Sequence, residues 1–353
     1  MGRTLYHHFY SIGNRAASTP LEGLNEAIVA RRDGGCVWIA CVDPERAELE
    51  RIAEEFAIHP LSVADCFDEE QIPKVDVFPE YAAILFNDIA PVAPERGESV
   101  ADGERARSVV SVDISEINLF FGKDYIVSVF RGATASRVSP ESIVEGVIRS
   151  RLRGVHGPTK ILHVILDRVI EDSFAAIDGV GDAIEALEDE CLAPAGTLDP
   201  ARAHAVRQSL SAMRKSLFHE RELLARIARR DSGIVPEENA IFFTGLADHV
   251  AKFLAAVETD RETATNLAQL SLAISGDRMA RETARTNRSM TRLTFITTIF
   301  MPLTLIAGIG GMSEWTMMTG QDRWRVSYAI LVGAMTLFGL VNFLVLRRLN
   351  RKG

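Results

Sequence analysis

Between Leu293 and Ser313 the chain carries four threonines, Thr294, Thr297, Thr298 and Thr304, in 21 residues without a charge. A hydroxyl in an apolar helix sits in a medium that offers no water, so it needs a partner. Two chemistries fit. The hydroxyls, with the small residues Gly308, Gly310 and Gly311, let helices approach and bond to one another. Alternatively they line a path for a solvated ion. Pro302 interrupts the same stretch and removes one backbone donor. Glu314 is the first carboxylate beyond it. Taken singly it is an ordinary loop residue; repeated around a ring it would draw cations.

A second charged feature lies at 167–190. Asp167, Glu171, Asp172, Asp178, Asp182, Glu185, Glu188, Asp189 and Glu190 stand against a single base, Arg168. On a helix this is a solvated face, and equally a reservoir of negative charge able to concentrate divalent cations near a pore mouth. The four cysteines, Cys36, Cys41, Cys66 and Cys191, form no C-x-x-C pair, so they read as inert thiols of a reducing compartment. There is no phosphate-binding glycine loop, H-E-x-x-H motif or nucleophile elbow, which argues against an enzyme. A net charge of −9 argues against nucleic acid as a partner.

These residues must be positioned by two kinds of element. Residues 293–313 and 326–346 are each long and apolar enough to cross a bilayer as a helix. Arg278, Arg281, Arg285, Arg288 and Arg292 precede the first span, and Arg347, Arg348, Arg351 and Lys352 follow the second. The positive-inside rule then places both termini in the cytoplasm, in a multi-pass protein of the plasma or inner membrane. The stretch Met1–Gly13 lacks the apolar core of a signal peptide. The second span, rich in Leu, Val, Phe and Ala, reads as a lipid-facing outer helix. Two helices cannot enclose a pathway, so transport requires a ring of copies.

Residues 1–157 read as a mixed α/β domain. Strands are expected at Cys36–Val42, Tyr81–Ile89, Val109–Ile114, Ile117–Phe121 and Tyr125–Phe130. A helix is expected from Pro44 to Phe56 with Asp43 as N-cap, and a flexible hairpin loop at Pro91–Ala106. Residues 158–290 read as long helices: about Thr159–Leu192, a second from Asp199-Pro200 to about Arg230, and a third from Glu237 onward. The last runs without proline to Pro302 and forms a stalk entering the membrane region, 291–353.

The sequence LTFITTIFMPLTLIAGIGGMS at 293–313 strongly resembles the first span of the CorA family of divalent-cation channels. Pro302-Leu303-Thr304, Ile306-Ala307-Gly308 and Gly311-Met312 carry the likeness. Phe56-Ala-Ile-His-Pro-Leu61, Asp65, the segment Asp68–Lys74 and the strand from Ile117 through Gly122-Lys123 resemble its soluble domain. The resemblance implies an α+β cytoplasmic domain of α/β/α layering, a long stalk helix, two C-terminal spans and a homopentamer with one central pore. It implies passage of Mg²⁺, with Co²⁺ and Ni²⁺ as further cargo, no covalently bound cofactor and contact with membrane lipid. It places Asn287, Met290, Leu293, Met301, Thr304 and Gly308 on the pore axis and Gly311, Met312, Ser313 and Glu314 at the outer mouth. Asp88 and Asp248 are its candidates for a regulatory metal site.

One departure matters. Ser313 stands where the family signature has Asn, and its shorter hydroxyl makes a wider ring. Zinc transporters of the ZntB type, coupled to protons and built on the same architecture, relax the same signature and are the alternative, with Zn²⁺ as cargo. A membrane scaffold or sensor that transports nothing is a further alternative.

Overall fold

The structure, a computed structural model, describes residues 2–12, 15–68, 71–92, 111–132, 134, 137, 139–150, 152, 155–193, 198–310 and 324–349. The chain divides into two compact units, Met1–Ser271 and Leu272–Gly353.

The first unit is built on a seven-stranded mixed sheet in the order β2-β1-β3-β7-β6-β5-β4. The strands are β1 (Arg3–Ile12), β2 (Arg15–Leu21), β3 (Cys36–Val42), β4 (Lys74–Val77), β5 (Tyr81–Pro91), β6 (Val112–Gly122) and β7 (Tyr125–Phe130). Only β3 and β7 pair in parallel; the other neighbours are antiparallel. Helices α1 (Leu24–Arg32), α2 (Arg46–Glu55), α3 (Pro60–Asp65), α4 (Pro140–Arg149), α5 (Gly157–Leu192) and α6 (Pro200–Ile227) complete the unit, together with the first part of α7 (Ala240–Gly310).

The central pair β3 and β7 is apolar on both faces because both faces are covered. Val37, Ile39 and Cys41 point into a core with Ala27, Leu49, Ile52 and Phe56 of α1 and α2. Trp38 and Ala40 point the other way and are equally buried. Trp38 carries a polar N–H into that second core, where Ser128 Oγ accepts it at 3.0 Å. Both Cys36 and Cys41 lie on β3 at 0% exposure. Burial pushes the Cys41 thiol up to about 12 and that of Cys36 well above its ordinary value, so neither supplies a thiolate.

Several expected boundaries shift for physical reasons. The strands expected at 109–114 and 117–121 are one strand, β6, from Val112, with residues 109 and 110 outside the described residues. It pairs with β5 in a hairpin whose last pair is Pro91↔Val112; most of the expected 91–106 loop lies outside the described residues. Asp43 is not the N-cap of α2. That cap is Glu45, without a side-chain bond. Asp43 has φ 46, and its carboxylate accepts the Gly132 N–H at 3.0 Å, tying the end of β3 to the end of β7. Asp199 does cap α6, accepting from Ala201 N at 2.9 Å.

The Phe56–Leu61 segment has a local logic. Ala57 takes a left-handed conformation at φ 54, and Ile58 N donates back to Ala53 O at 2.9 Å, which closes the C-terminus of α2. His59 then caps α3 through Nδ1, with Pro60 in its first turn. Tyr125 Oη reaches across to Phe56 O at 3.0 Å.

On α5 the buried face is apolar: Ile165, Val169, Ala176, Ile177, Val180, Ile184 and Leu187. Glu171, Asp178, Asp182, Glu185, Glu188, Asp189 and Glu190 are exposed, a solvated acidic face. α6 buries a carboxyl group on its corresponding face. Its buried stripe of Met213, Leu217, Leu224 and Ile227 includes Glu220 at 1% exposure. Ser216 Oγ donates to Glu220 Oε1 at 2.7 Å and accepts from Asn87 Nδ2 at 2.6 Å, linking α6 to β5.

Burial pushes the Glu220 carboxyl up to about 8, with Asp88 adding to the rise. A raised folded-state value makes the neutral acid the folded form. Stability is therefore full below the ordinary carboxyl value of 4.5 and falls as pH rises toward 8, by up to about 1.4 kcal/mol per pH unit. Glu220→Gln keeps the Ser216 bond and removes the ionisation. Thermal melts of the full-length protein between pH 5 and about 9 should show a downward slope in the wild type and a flatter one in the variant. Parallel slopes would remove Glu220 from the linkage.

Candidate cation pathway

Helix α7 begins on a buried footing. Phe243, Leu246, Val250, Leu254 and Val257 are buried. Their spacing gives one apolar stripe, and the Phe243 ring meets His163 of α5 edge-on at 5.6 Å. Beyond Leu267, none of the described large apolar residues of α7 is buried.

The second unit contains the rest of α7 and α8 (Trp324–Leu349). Both are long and apolar enough to cross a membrane. Ile296, Phe300, Met301, Leu305 and Ile309 of α7, and Ile330, Val332, Leu337 and Val341 of α8, are 50% to 76% exposed. Such a surface needs a hydrocarbon or protein cover.

The less exposed residues identify the face the two helices share. On α7 they are Phe295, Ile299, Pro302, Leu303 and Ile306; on α8 they are Tyr328, Leu331, Met335, Gly339 and Asn342. Each set repeats at three to four residues, one side of a helix. Gly339 is a point of contact: a Cβ there would stand 3.5 Å from Leu303 Cδ1.

The resemblance-derived residues Asn287, Met290, Leu293, Met301, Thr304 and Gly308 all lie on α7 and all are exposed. At 100° per residue they fall within an arc of about 120°. That arc is centred nearly opposite the face packed on α8. Thr294 and Thr297, which the resemblance did not single out, fall on the same arc.

The hydroxyls on this arc are oriented. Thr304 Oγ1 donates to Phe300 O at 2.8 Å, Thr297 Oγ1 to Leu293 O at 2.5 Å and Thr294 Oγ1 to Met290 O at 2.9 Å. With the proton turned onto the backbone, each oxygen keeps its lone pairs for an outside donor. The water shell of a cation presents hydrogens outward, so these are acceptors of the right kind.

Residues 33–348 match the family described as CorA-like Mg²⁺ transporter protein. The chain belongs to the CorA family. The cobalt/magnesium transport protein CorA of Thermotoga maritima is 25% identical over 324 residues, covering 90% of this chain and 84% of its own length. The putative metal ion transporter YfjQ of Bacillus subtilis is 25% identical over 313 residues, 87% of each chain. The solved CorA magnesium transporter of Methanocaldococcus jannaschii has the same fold, with a TM-score of 0.65 at 18% identity over 98% of this chain and 97% of that one. CorA membership makes the chain a divalent-cation transporter with two C-terminal membrane helices, and not an enzyme.

Gly311, Met312, Ser313 and Glu314, which the resemblance assigns to the outer mouth, lie outside the described residues of this CorA chain. The two regulatory candidates are placed very differently. Asp248 is exposed on α7. Asp88 on β5 is 3% exposed, and its Oδ2 accepts from Arg137 Nη2 at 2.6 Å and from Thr134 Oγ1 at 3.0 Å. Among the described residues no three His, Cys, Asp or Glu side chains gather to hold a metal.

Sequence reading missed the packing face of α8, although Gly339 and Asn342 interrupt its apolar run at helical spacing. Gly339 yields the test of that face. Gly339→Ala adds an ordinary contact and should leave thermal stability within about 0.5 kcal/mol. Gly339→Leu should lower it by about 1–3 kcal/mol through overpacking. Equal melting of the two variants would show that the helices do not meet there.

Proposed function

We propose that this CorA-family chain moves Mg²⁺ inward through a central pore enclosed by five copies, driven by membrane potential, with Co²⁺ and Ni²⁺ as further cargo. The observation that carries the reading is the face of α7. Asn287, Met290, Leu293, Thr297, Met301, Thr304 and Gly308 are exposed together, opposite the side packed on α8. An exposed arc that carries Asn287, Thr294, Thr297 and Thr304 is more polar than a lipid-facing side requires. Turned to a common axis, it becomes the wall of a path that two helices per chain cannot close alone.

The chemistry of the arc suits Mg²⁺, which gives up its water reluctantly. Threonine and asparagine oxygens hold the hydrated ion through its waters, weakly enough to release it. Leu293 and Met301 supply apolar rings that close by dewetting. A potential of 100 mV contributes about 4.6 kcal/mol to the passage of a divalent ion, so no nucleotide is needed. Ser313 and Glu314 form the outer mouth, with Glu314 as the attracting charge. Asp248 is the better placed of the two regulatory candidates, since Asp88 is already neutralised by Arg137. Functionally the chain divides into a cytoplasmic domain at 1–157, a long-helix and stalk region at 158–290 and a transmembrane region at 291–353.

The test is divalent-ion uptake into proteoliposomes under an imposed potential. Mg²⁺ uptake is the expected result. Zn²⁺ uptake that follows a proton gradient instead would move the chain to the ZntB-type mechanism, and no flux from an intact oligomer would leave a scaffold. Thr297→Val and Thr304→Val should each lower flux by on the order of ten-fold, the worth of about one hydrogen bond at a barrier; unchanged flux would take either residue off the path. Glu314→Gln should weaken apparent cation affinity, more at low salt than at high, and indifference to salt would remove it from the mouth.

A further inference from the structure

Arg278, Arg281, Arg285, Arg288 and Arg292 follow one another at intervals of three, four, three and four residues on α7. At 100° per residue all five fall within an arc of about 80°. Topology alone asks for positive charge on this side of the membrane, but not for one face of one helix. The arc lies on the side turned toward α8 and is centred about 160° from the candidate pore arc. All five arginines are exposed. Arg281 pairs with Asp277 at 2.7 Å, whereas Arg285, Arg288 and Arg292 form no ion pair among the described residues.

The second span also ends in positive charge. The Gly339–Leu303 contact sets the antiparallel register of α8 against α7. Arg348, near the end of α8, lies about 140° around that helix from the centre of the face turned to α7, so it points away from the α7 arginines. Arg348 is exposed and likewise unpaired among the described residues. The clustered cations, in a protein of net charge −9, are therefore those of α7 alone, at the level where its apolar span begins. Like charges so placed repel unless an anion lies between them. The anion available at that level is the phosphate of a membrane lipid, and basic residues beside a membrane span attract such headgroups.

We propose that Arg285, Arg288 and Arg292 bind the headgroups of anionic phospholipids in the leaflet on the side of the chain termini. Arg292 stands one residue from the apolar span. Arg288 and Arg285 follow within about 11 Å along the axis, near enough to reach upward with their side chains. Arg281 and Arg278 lie about 17 and 21 Å below Arg292, outside the headgroup layer. The proposal rests on the membrane reading of the two spans and not on the ion transported.

The experiment reconstitutes the full-length protein in phosphatidylcholine vesicles holding a minor fraction of phosphatidylglycerol. It then measures the phosphatidylglycerol retained per protomer on re-extraction, relative to phosphatidylcholine. Enrichment in the wild type is expected, collapsing at high salt. Each arginine removed among 285, 288 and 292 should lower relative affinity about five-fold, so R285Q/R288Q/R292Q should show no enrichment while R278Q/R281Q keeps it. Unchanged enrichment in the triple variant would overturn the proposal. So would equal loss in the double variant, which would mean an anion beyond the bilayer. Should the triple variant fail to assemble, the wild type alone still decides: enrichment that persists at high salt, or is absent at low salt, overturns the proposal. Ion flux enters none of these readings, so a failure here is separate from a failure of the transport proposal.

Discussion

The constraint on which the second unit depends is that hydrocarbon offers no hydrogen bonds. Helices α7 and α8 present large apolar side chains that the chain itself does not cover, and a bilayer is the medium that makes this stable. The same constraint explains the threonines. Each described hydroxyl of Thr294, Thr297 and Thr304 turns back onto a carbonyl four residues earlier, so no donor is left bare toward lipid. Pro302 works in the opposite direction. It withdraws the N–H that Thr298 O would accept, and such a break is tolerated where it faces protein or water. Pro302 is among the less exposed residues of the span, on the side shared with α8.

In the first unit the same rule is met by pairing. The sheet buries Asn87, Asp88, Asn118 and Ser128 among apolar residues. Asp88 is answered by Arg137 and Thr134, and Ser128 by Trp38. Glu220 has only a hydroxyl and its own proton. An ionised carboxylate there would lack a cation, so the acid stays neutral instead. These choices matter for α7, whose buried first stretch shares the unit with α5, α6 and the sheet. Its contacts with His163 and with Phe174 of α5 fix the start of the helix that continues to Gly310.

How much of this was legible in the sequence depended on whether one element carried its own signal. The strand Cys36–Val42 is a closed apolar run, and α6 announces itself with Asp199-Pro200; both stand where expected. Strand β1 did not show, because His7 and His8 and the polar Arg3, Thr4 and Ser11 break its run. β2 carries Pro20, and β4 is four residues at the sheet edge. Asp43-Pro44 looked like a cap, but a tertiary partner, the Gly132 N–H, claimed the carboxylate. The candidate pore arc rests on family resemblance, since exposure alone does not distinguish an axis from lipid. The α8 packing face became visible only when Gly339 met Leu303.

One helix therefore has to carry two opposed electrostatic tasks within a few turns. The proposed path for a divalent cation runs along Asn287, Met290 and Leu293, and the arginines at 285, 288 and 292 are interleaved with them in sequence. Five copies would place fifteen such arginines beside the ion path, a charge ring opposed to any cation. Face, not sequence distance, resolves the conflict. A helix with its side chains is about 10–12 Å across, and the Debye length at physiological salt is about 8 Å. A guanidinium on the far side of α7 is thus screened from the axis by more than one Debye length. An anionic headgroup at the same guanidinium would neutralise what remains. On this argument the three-four spacing of the arginines does more than orient the span: it keeps positive charge at the membrane surface and away from the cation.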